Sequence, residues 1–136
     1  MICDLPGQSN LADEVISEFG ADKVMFHPTD VSSADDVAGA LDKMDAAGWK
    51  INTAVSCAGI AIASKTLSKK GAHNLDAFSK VLSVNTIGTF NVARLAAERM
   101  AANEANEAGQ RGVIVNTASI AAYDGQIGQA AYAASK

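Results

Sequence analysis

The residues with the clearest chemical potential lie in the last eighteen positions, Ser119 to Lys136. Tyr132 and Lys136 are four residues apart in an alanine-rich run after Gly128, a composition typical of a helix start. Four residues make about one helical turn, so both side chains lie on one face. A positive charge beside a phenol stabilises the phenolate, which favours a general base. Ser119 follows an apolar run and can supply a carbonyl-polarising hydroxyl to the same point.

A tyrosine and a lysine one turn apart also occur by chance on many surface helices, so the pair alone is not specific. The surrounding residues make it specific. Asn-Thr-Ala-Ser occupies positions 116–119, Tyr132 follows thirteen residues after Ser119, and Lys136 comes next. This arrangement resembles the short-chain dehydrogenase/reductase family. Positions 125–132, Gly-Gln-Ile-Gly-Gln-Ala-Ala-Tyr, are similar to the branch that acts on 3-hydroxyacyl-CoA and on hydroxysteroids.

Composition is that of an ordinary globular domain. The 136 residues, 49% hydrophobic and 19% charged, suffice for a single domain over 1–136 with one core. A net charge of −4 gives no basis for a broad nucleic-acid surface. No apolar run approaches the ~20 residues of a membrane-spanning helix. Cys3 and Cys57 lie far apart, which suits a reducing compartment, and two separated histidines give a metal site little support.

Apolar segments with the spacing of a strand alternate along the chain with segments that have the spacing of a helix. We predict strands at 1–4, 24–26, 51–58 and 113–115, and helices at 9–20, 32–48, 75–102 and after 128. Ser9 or Asn10 is expected to cap the first helix, and Ser32–Ser33 the second. The alternation predicts a Rossmann-type, doubly wound parallel α/β sheet, in which ligands bind beyond the carboxyl ends of the strands.

Two acids follow predicted strands. In a dinucleotide-binding fold, a carboxylate at Asp4 accepts hydrogen bonds from the adenosine ribose and repels a 2′-phosphate, which predicts NAD rather than NADP. An ordinary solvated carboxylate is the alternative. The resemblance adds Leu5 to the cofactor site and implies that Asp30 and Val31 bracket the adenine ring. Asp30 can equally belong to a turn that prepares the next helix.

The third predicted strand ends in Ser56-Cys57-Ala58-Gly59. This stretch takes the place of the family's Asn-Asn-Ala-Gly, and the resemblance implies that Cys57, Ala58 and Gly59 pass close to the cofactor. An Ala-Gly pair suits such an approach because it adds little bulk. Ser56 replaces the first asparagine, so the hydrogen bonds which that amide makes to the central strands are in question.

Asn85 is an amide on an apolar helical stripe, three and four residues from Leu82 and Val81. A buried amide needs partners. One interpretation is a helix kink satisfied by water or backbone. The resemblance implies instead a catalytic residue whose amide holds a water that relays protons to Lys136.

The resemblance assigns the remaining roles. Tyr132 takes the substrate proton, Lys136 also binds the nicotinamide ribose, and Ser119 orients the substrate oxygen. Gln129 faces the substrate, or like Gln126 caps the helix. Three lysines, Lys65, Lys69 and Lys70, belong either to a solvated loop or to a site for the phosphates of CoA.

The expected function is that of an NAD-dependent oxidoreductase interconverting a secondary alcohol and a ketone, with 3-hydroxyacyl-CoA as substrate and hydroxysteroids as a second class. The resemblance also implies a homotetramer whose dimer contacts use the long helix and the helix of Tyr132. It implies the mitochondrial matrix for a eukaryotic source and the cytoplasm for a bacterial one.

Two alternatives come from other functional classes. One is a non-catalytic scaffold subunit in mitochondrial tRNA processing, and the acidic balance speaks against direct RNA contact by such a subunit. The other is a 3-oxoacyl-carrier-protein reductase. Pull-down of tRNA-processing partners tests the first, and comparing rates on acyl-CoA and acyl-carrier thioesters tests the second.

A fragment of the family's domain is expected to lack both folding cooperativity and activity. The family opens with a strand and a Thr-Gly-x-x-x-Gly-x-Gly turn that holds the cofactor pyrophosphate, and no such turn occurs in these residues. The first strand and the C-terminal part of the sheet are thus expected to be missing. Expressed alone, residues 1–136 should show no cooperative thermal transition and no NADH fluorescence enhancement at micromolar concentration. Observing both would contradict the expectation.

Overall fold

The computed structural model describes residues 1–136. The strands are β1 (Ile2–Asp4), β2 (Phe26–Pro28), β3 (Thr53–Ser56), β4 (Leu67–Ser68), β5 (Gly71–Ala72) and β6 (Val113–Asn116). The α-helices are α1 (Ser9–Phe19), α2 (Ala34–Ala46), α3 (Leu75–Leu82), α4 (Thr89–Met100) and α5 (Ala130–Ser135). A π-helical turn, Ser83–Gly88, joins α3 to α4, and 3-10 turns occupy Pro6–Gln8 and Ile120–Ala122. None of the helices has both the length and the apolar character that crossing a bilayer requires.

The strands form two separate parallel pairs and one hairpin. β1 pairs with β2, beginning at Ile2 opposite Phe26, and β3 pairs with β6, beginning at Thr53 opposite Val113. β4 and β5 pair in antiparallel fashion, a hairpin that the sequence did not predict. The predicted α/β architecture with an incomplete parallel sheet is therefore confirmed, since no strand joins the two pairs.

The second strand lies two residues later than predicted. It extends to Pro28, whereas the sequence suggested that His27-Pro28 closes it. The main-chain bonds to β1 come from Met25 on one side and Thr29 on the other. Because bonding residues alternate along a strand, the absent N–H of Pro28 faces away from the partner and costs nothing there.

The first two helices begin differently. α1 begins at Ser9, after the 3-10 turn, and no side chain caps it, so the expected cap by Ser9 or Asn10 is wrong. It ends at Gly20, whose φ of 97° suits a residue without a side chain. α2 begins as predicted, with Ser33 Oγ accepting a bond from the main-chain N–H of Asp36 at 3.2 Å.

The long predicted helix is present but not uniform. Residues from Leu75 to Met100 are helical throughout, and the π-helical turn interrupts the α-helical spacing around Asn85. α4 packs against β3, β6 and α2. Ala54, Ala96 and Met100 form the apolar cluster at this junction, with Ile51 against them.

An ion-pair cluster also holds α4 to α2. The guanidinium of Arg99 donates to the carboxylates of Asp42 and Asp45. The bond to Asp42 is the main cause that raises the pKa of Arg99 above its ordinary value. The cluster is at the surface, so it fixes the relative position of the helices more than it adds stability.

Replacing each of two helical glycines by alanine should change the free energy of unfolding in opposite directions. A Cβ at Gly88 would lie 2.5 Å from Val31 Cγ2 and 3.3 Å from the Val31 main chain, whereas a Cβ at Gly39 would meet His27 only at 3.5 Å. Overpacking should make Gly88→Ala less stable by about 1–2 kcal/mol despite the better helix former. Gly39→Ala should gain about 0.5–1 kcal/mol because alanine favours the helix. Denaturant midpoints of the two variants measure this, and equal shifts of one sign would contradict it.

Candidate active site

A cleft of about 580 Å³ is lined along the length of β1 and β3 and reaches the residues that follow β1, β2 and β3. α2 and the helical segment of α3 and α4 complete its walls. Seven residues that the sequence predicted for cofactor binding line it: Asp4, Leu5, Asp30, Val31, Cys57, Ala58 and Gly59. The structure thus brings together residues from three separate strand ends, although their binding role stays a prediction.

The acidic end of the cleft begins with Asp4, the last residue of β1. Its exposed carboxylate accepts a hydrogen bond from the main-chain N–H of Leu5 at 2.7 Å. No lysine or arginine pairs with it. The carboxylate therefore keeps most of its accepting capacity for a ligand.

The second acid belongs to a tightly bonded turn. Asp30 Oδ1 accepts from the N–H and the hydroxyl of Ser32 at 2.9 and 2.6 Å, and the Asp30 N–H donates to Asp36 at 2.9 Å. The bond from the Ser32 hydroxyl is the main cause that lowers the pKa of Asp30, and the bond from the Asp30 N–H lowers the pKa of Asp36. A lowered pKa means that each carboxylate stabilises the turn when ionised, and that this is lost only as the pH falls into the acid range. The turn interpretation and the cofactor interpretation of Asp30 are compatible.

Two polar groups lie beside the residues that follow β3. A Cβ at Gly59 would lie 3.4 Å from Asn85 Oδ1 and 3.7 Å from Lys136 Nζ, which are ordinary contact distances. Ser56, three residues earlier, is buried, and its hydroxyl has no hydrogen-bond partner. The Ser56 side chain therefore supplies no substitute for the bonds of the family's asparagine.

Asn85 is buried within the π-helical turn, and its amide is fully engaged by protein. Oδ1 accepts from the N–H of Ile60 at 2.8 Å, and Nδ2 donates to the carbonyl of Ile60 at 2.9 Å and to Ser135 Oγ at 2.8 Å. Both amide hydrogens are therefore occupied by protein groups. The backbone-satisfied kink is the arrangement found, and a proton relay through Asn85 stays a prediction.

The predicted catalytic pair lies on α5. Lys136 Nζ is 5.7 Å from the centroid of the Tyr132 ring, and it donates to the carbonyl of Thr117 at 3.0 Å. That bond joins the last residue of the chain to the segment after β6. Ser119 begins the 3-10 turn that packs against α5, and its hydroxyl accepts from the N–H of Ala121 at 3.1 Å. Ser119, Tyr132 and Lys136 therefore lie on elements that contact one another.

Two other predicted regions meet beside this pair. Gln129 is at the helix-cap position of α5, but its side chain makes no cap bond, so the capping interpretation of Gln129 is wrong. The N–H of Ser64 donates to the carbonyl of Gly128 at 2.7 Å. The lysine-bearing hairpin of Lys69 and Lys70 follows directly and is exposed.

Ser135 is a site residue that the sequence did not reveal. Its hydroxyl accepts from Asn85 and donates to the carbonyl of Tyr132 at 2.7 Å. It connects the π-helical turn to the residue predicted as the base. A serine in an alanine-rich helix was the available signal, because a helical serine often bonds the carbonyl one turn before it.

Comparison with known proteins agrees with the geometry. The model of the short chain dehydrogenase family matches residues 2–136. A 3-hydroxyacyl-CoA dehydrogenase type-2 from Drosophila melanogaster is 54% identical over 100% of the chain and 53% of its own length. The human protein of that name is 49% identical over 100% of the chain and 52% of its own length. The chain spans about half the length of these curated relatives.

Two solved structures share the fold. A 3-hydroxyacyl-CoA dehydrogenase type-2 from Mycobacterium avium matches with a TM-score of 0.86 at 38% identity, over 99% of this chain and 52% of that one. A gluconate 5-dehydrogenase from Burkholderia cenocepacia, in complex with NADP and tartrate, matches with a TM-score of 0.79 at 27% identity, over 99% and 49%. The second of these structures holds a nicotinamide cofactor, NADP.

Proposed function

The chain belongs to the short-chain dehydrogenase family, and on that premise we propose that it carries the active site of an NAD-dependent oxidoreductase. The reaction is the interconversion of a secondary alcohol and a ketone. The observation that carries the proposal is the place of Lys136, whose ammonium lies 5.7 Å from the centroid of the Tyr132 ring and close to Gly59 of the cleft. One group thus connects a potential base to a potential cofactor site.

The lining of the cleft suits a dinucleotide. Carboxylates follow β1 and β2, and the small residues Ala58 and Gly59 follow β3. Asp4 and Leu5 would hold the adenosine ribose, and Asp30 with Val31 the adenine. Cys57, Ala58 and Gly59 would line the middle, and Tyr132 with Lys136 the nicotinamide ribose. The bound cofactor supplies the hydride acceptor or donor.

Residues of the chain transfer the substrate proton and orient the substrate oxygen. Tyr132 takes the proton of the substrate hydroxyl during oxidation and returns it during reduction. Lys136 places a positive charge beside the phenol and so stabilises negative charge there. Ser119 orients the substrate oxygen towards the phenol. Asn85 acts through position, because it fixes Ile60 and α5 relative to each other.

The substrate class is a 3-hydroxyacyl-CoA, with hydroxysteroids as a second class. The names of relatives about half identical over the whole chain support this. Exposed apolar side chains at Ile120, on the 3-10 turn that contacts α5, and at Ile127, just before α5, also support it, since they suit an apolar substrate. Exposed Ile87 and Phe90 lie on the long helical segment expected to make subunit contacts, which supports a homotetramer.

Replacing the phenol tests the base. In the complete protein, Tyr132→Phe should lower kcat by at least about 10²-fold, because it removes the proton acceptor and little packing. NADH affinity should stay within about twofold. Tyr123→Phe is the matched control, since the other tyrosine is 91% exposed and its hydroxyl should not matter. Steady-state rates decide, and a Tyr132 variant with more than about a tenth of wild-type activity would refute the role.

The carboxylate of Asp4 should set the cofactor preference. A 2′-phosphate would meet this exposed carboxylate with no arginine nearby, so NAD should be preferred over NADP in kcat/KM. Asp4→Ser should reduce that preference by about tenfold or more. Asp13→Asn, an equal charge change on α1 outside the cleft, should leave it unchanged. Equal efficiency of the two cofactors in the wild type would contradict the assignment.

A further inference from the structure

Asn91 is a second buried amide, in α4, and no sequence pattern distinguishes it. The residue is 5% exposed. Nδ2 donates to two main-chain carbonyls of the turn after β2, those of Val31 at 2.9 Å and Ser33 at 3.1 Å. These partners lie 60 and 58 residues away in sequence. One side chain thus holds both ends of a three-residue stretch.

The oxygen of the same amide is equally engaged. Arg94, one turn later, donates to Asn91 Oδ1 through Nε at 3.1 Å and through its terminal nitrogen at 2.7 Å. A charged donor on the oxygen polarises the amide and strengthens the bonds that its N–H groups make. Every hydrogen-bonding group of the amide is therefore used, and the geometry of the side chain is fixed.

The stretch that Asn91 holds is the end of the cleft assigned to adenine. Asp30 and Val31 line the cleft, and Ser33 begins α2. On its other side, Val31 packs against Gly88, where even a methyl group would collide. The turn is thus fixed to α2 through Ser33, to α4 through Asn91 and to the π-helical turn through Gly88.

We propose that Asn91 is a positioning residue for the cofactor, which holds the turn from Asp30 to Ser33 in its binding geometry before the ligand arrives. This rests on the proposed function, because it assigns the turn to the adenine end of a dinucleotide. Without the two bonds, the carbonyls of Val31 and Ser33 lose their partner and the turn samples other conformations. Binding must then order the turn as well as the ligand, which weakens affinity without touching Tyr132.

Asn91→Asp is the sharpest variant. The aspartate keeps the size and the acceptors for Arg94, but it cannot donate to the two carbonyls. In the complete protein, the Kd of NADH and the KM for the cofactor should rise about tenfold, as expected for two lost hydrogen bonds, while kcat stays within about twofold. Amide hydrogen exchange at Ser32 and Ser33 should accelerate.

Asn103→Asp is the matched control. Asn103 Nδ2 also donates to two carbonyls, Ile51 at 2.7 Å and Arg111 at 3.0 Å, which precede β3 and β6 and so lie away from the strand ends assigned to the cofactor. Loss of these two bonds should lower the free energy of unfolding by an amount similar to that in Asn91→Asp. It should leave the KM for the cofactor unchanged. An equal rise of KM in both variants would reduce Asn91 to a general structural role and overturn the proposal.

The other possible results also support or overturn the role of Asn91. Should Asn91→Asp fail to fold, Asn91→Ser withdraws the side chain from both carbonyls without adding charge, and the same result is expected of it. Unchanged Kd and unchanged exchange at Ser32 and Ser33 would overturn the inference alone. If the wild type binds no NADH, the proposed function fails and the cofactor role of Asn91 fails with it, whatever the exchange rates are.

Discussion

A carboxamide removed from water needs partners for two N–H groups and an oxygen, and this requirement connects the parts of the site. Asn85 and Asn91 are both buried, and each bonds main-chain groups of a loop that follows a strand. Asn85 holds Ile60 after β3, and Asn91 holds Val31 after β2. One helical segment thereby fixes two loops that no strand pairing connects.

The π-helical turn explains how one segment reaches both loops. A π turn contains an additional residue, so the side chains after it point in a different direction from those of an unbroken α-helix. Asn85 lies inside the turn and Asn91 lies just beyond it, in α4. The poorer local bonding of the turn is offset by the bonds that Asn85 makes to Ile60 and Ser135.

Local sequence patterns predicted most helices and strands, but not the long-range hydrogen bonds that join them. The acids and small residues at strand ends were predictable, because carboxyl ends of parallel strands meet at one edge whatever the exact strand limits are. Strand and cap boundaries were missed by one or two residues where tertiary pairing decides them, as at Pro28 and Ser9. The partners of Asn85 are 25 and 50 residues away, and no periodicity carries that information. Asn91 was missed for the same reason, because only its partners distinguish it from a surface amide.

Opposite charges lie at different strand ends of the cleft, and the buried amides alone do not provide this difference. Asp4 and Asp30 lie where β1 and β2 end, while the ammonium of Lys136 lies beside Gly59, where β3 ends. The bonds from Ser32 lower the pKa of Asp30, and Lys80, on the cleft wall, offsets part of its charge. An extended ligand is favoured when it places hydrogen-bond donors at the carboxylates and acceptor atoms beside the ammonium, which can only donate. The two charges therefore favour one orientation of a ligand whose ends differ, and loops held in place preserve that preference because each Coulomb energy depends on the distance between charge and ligand.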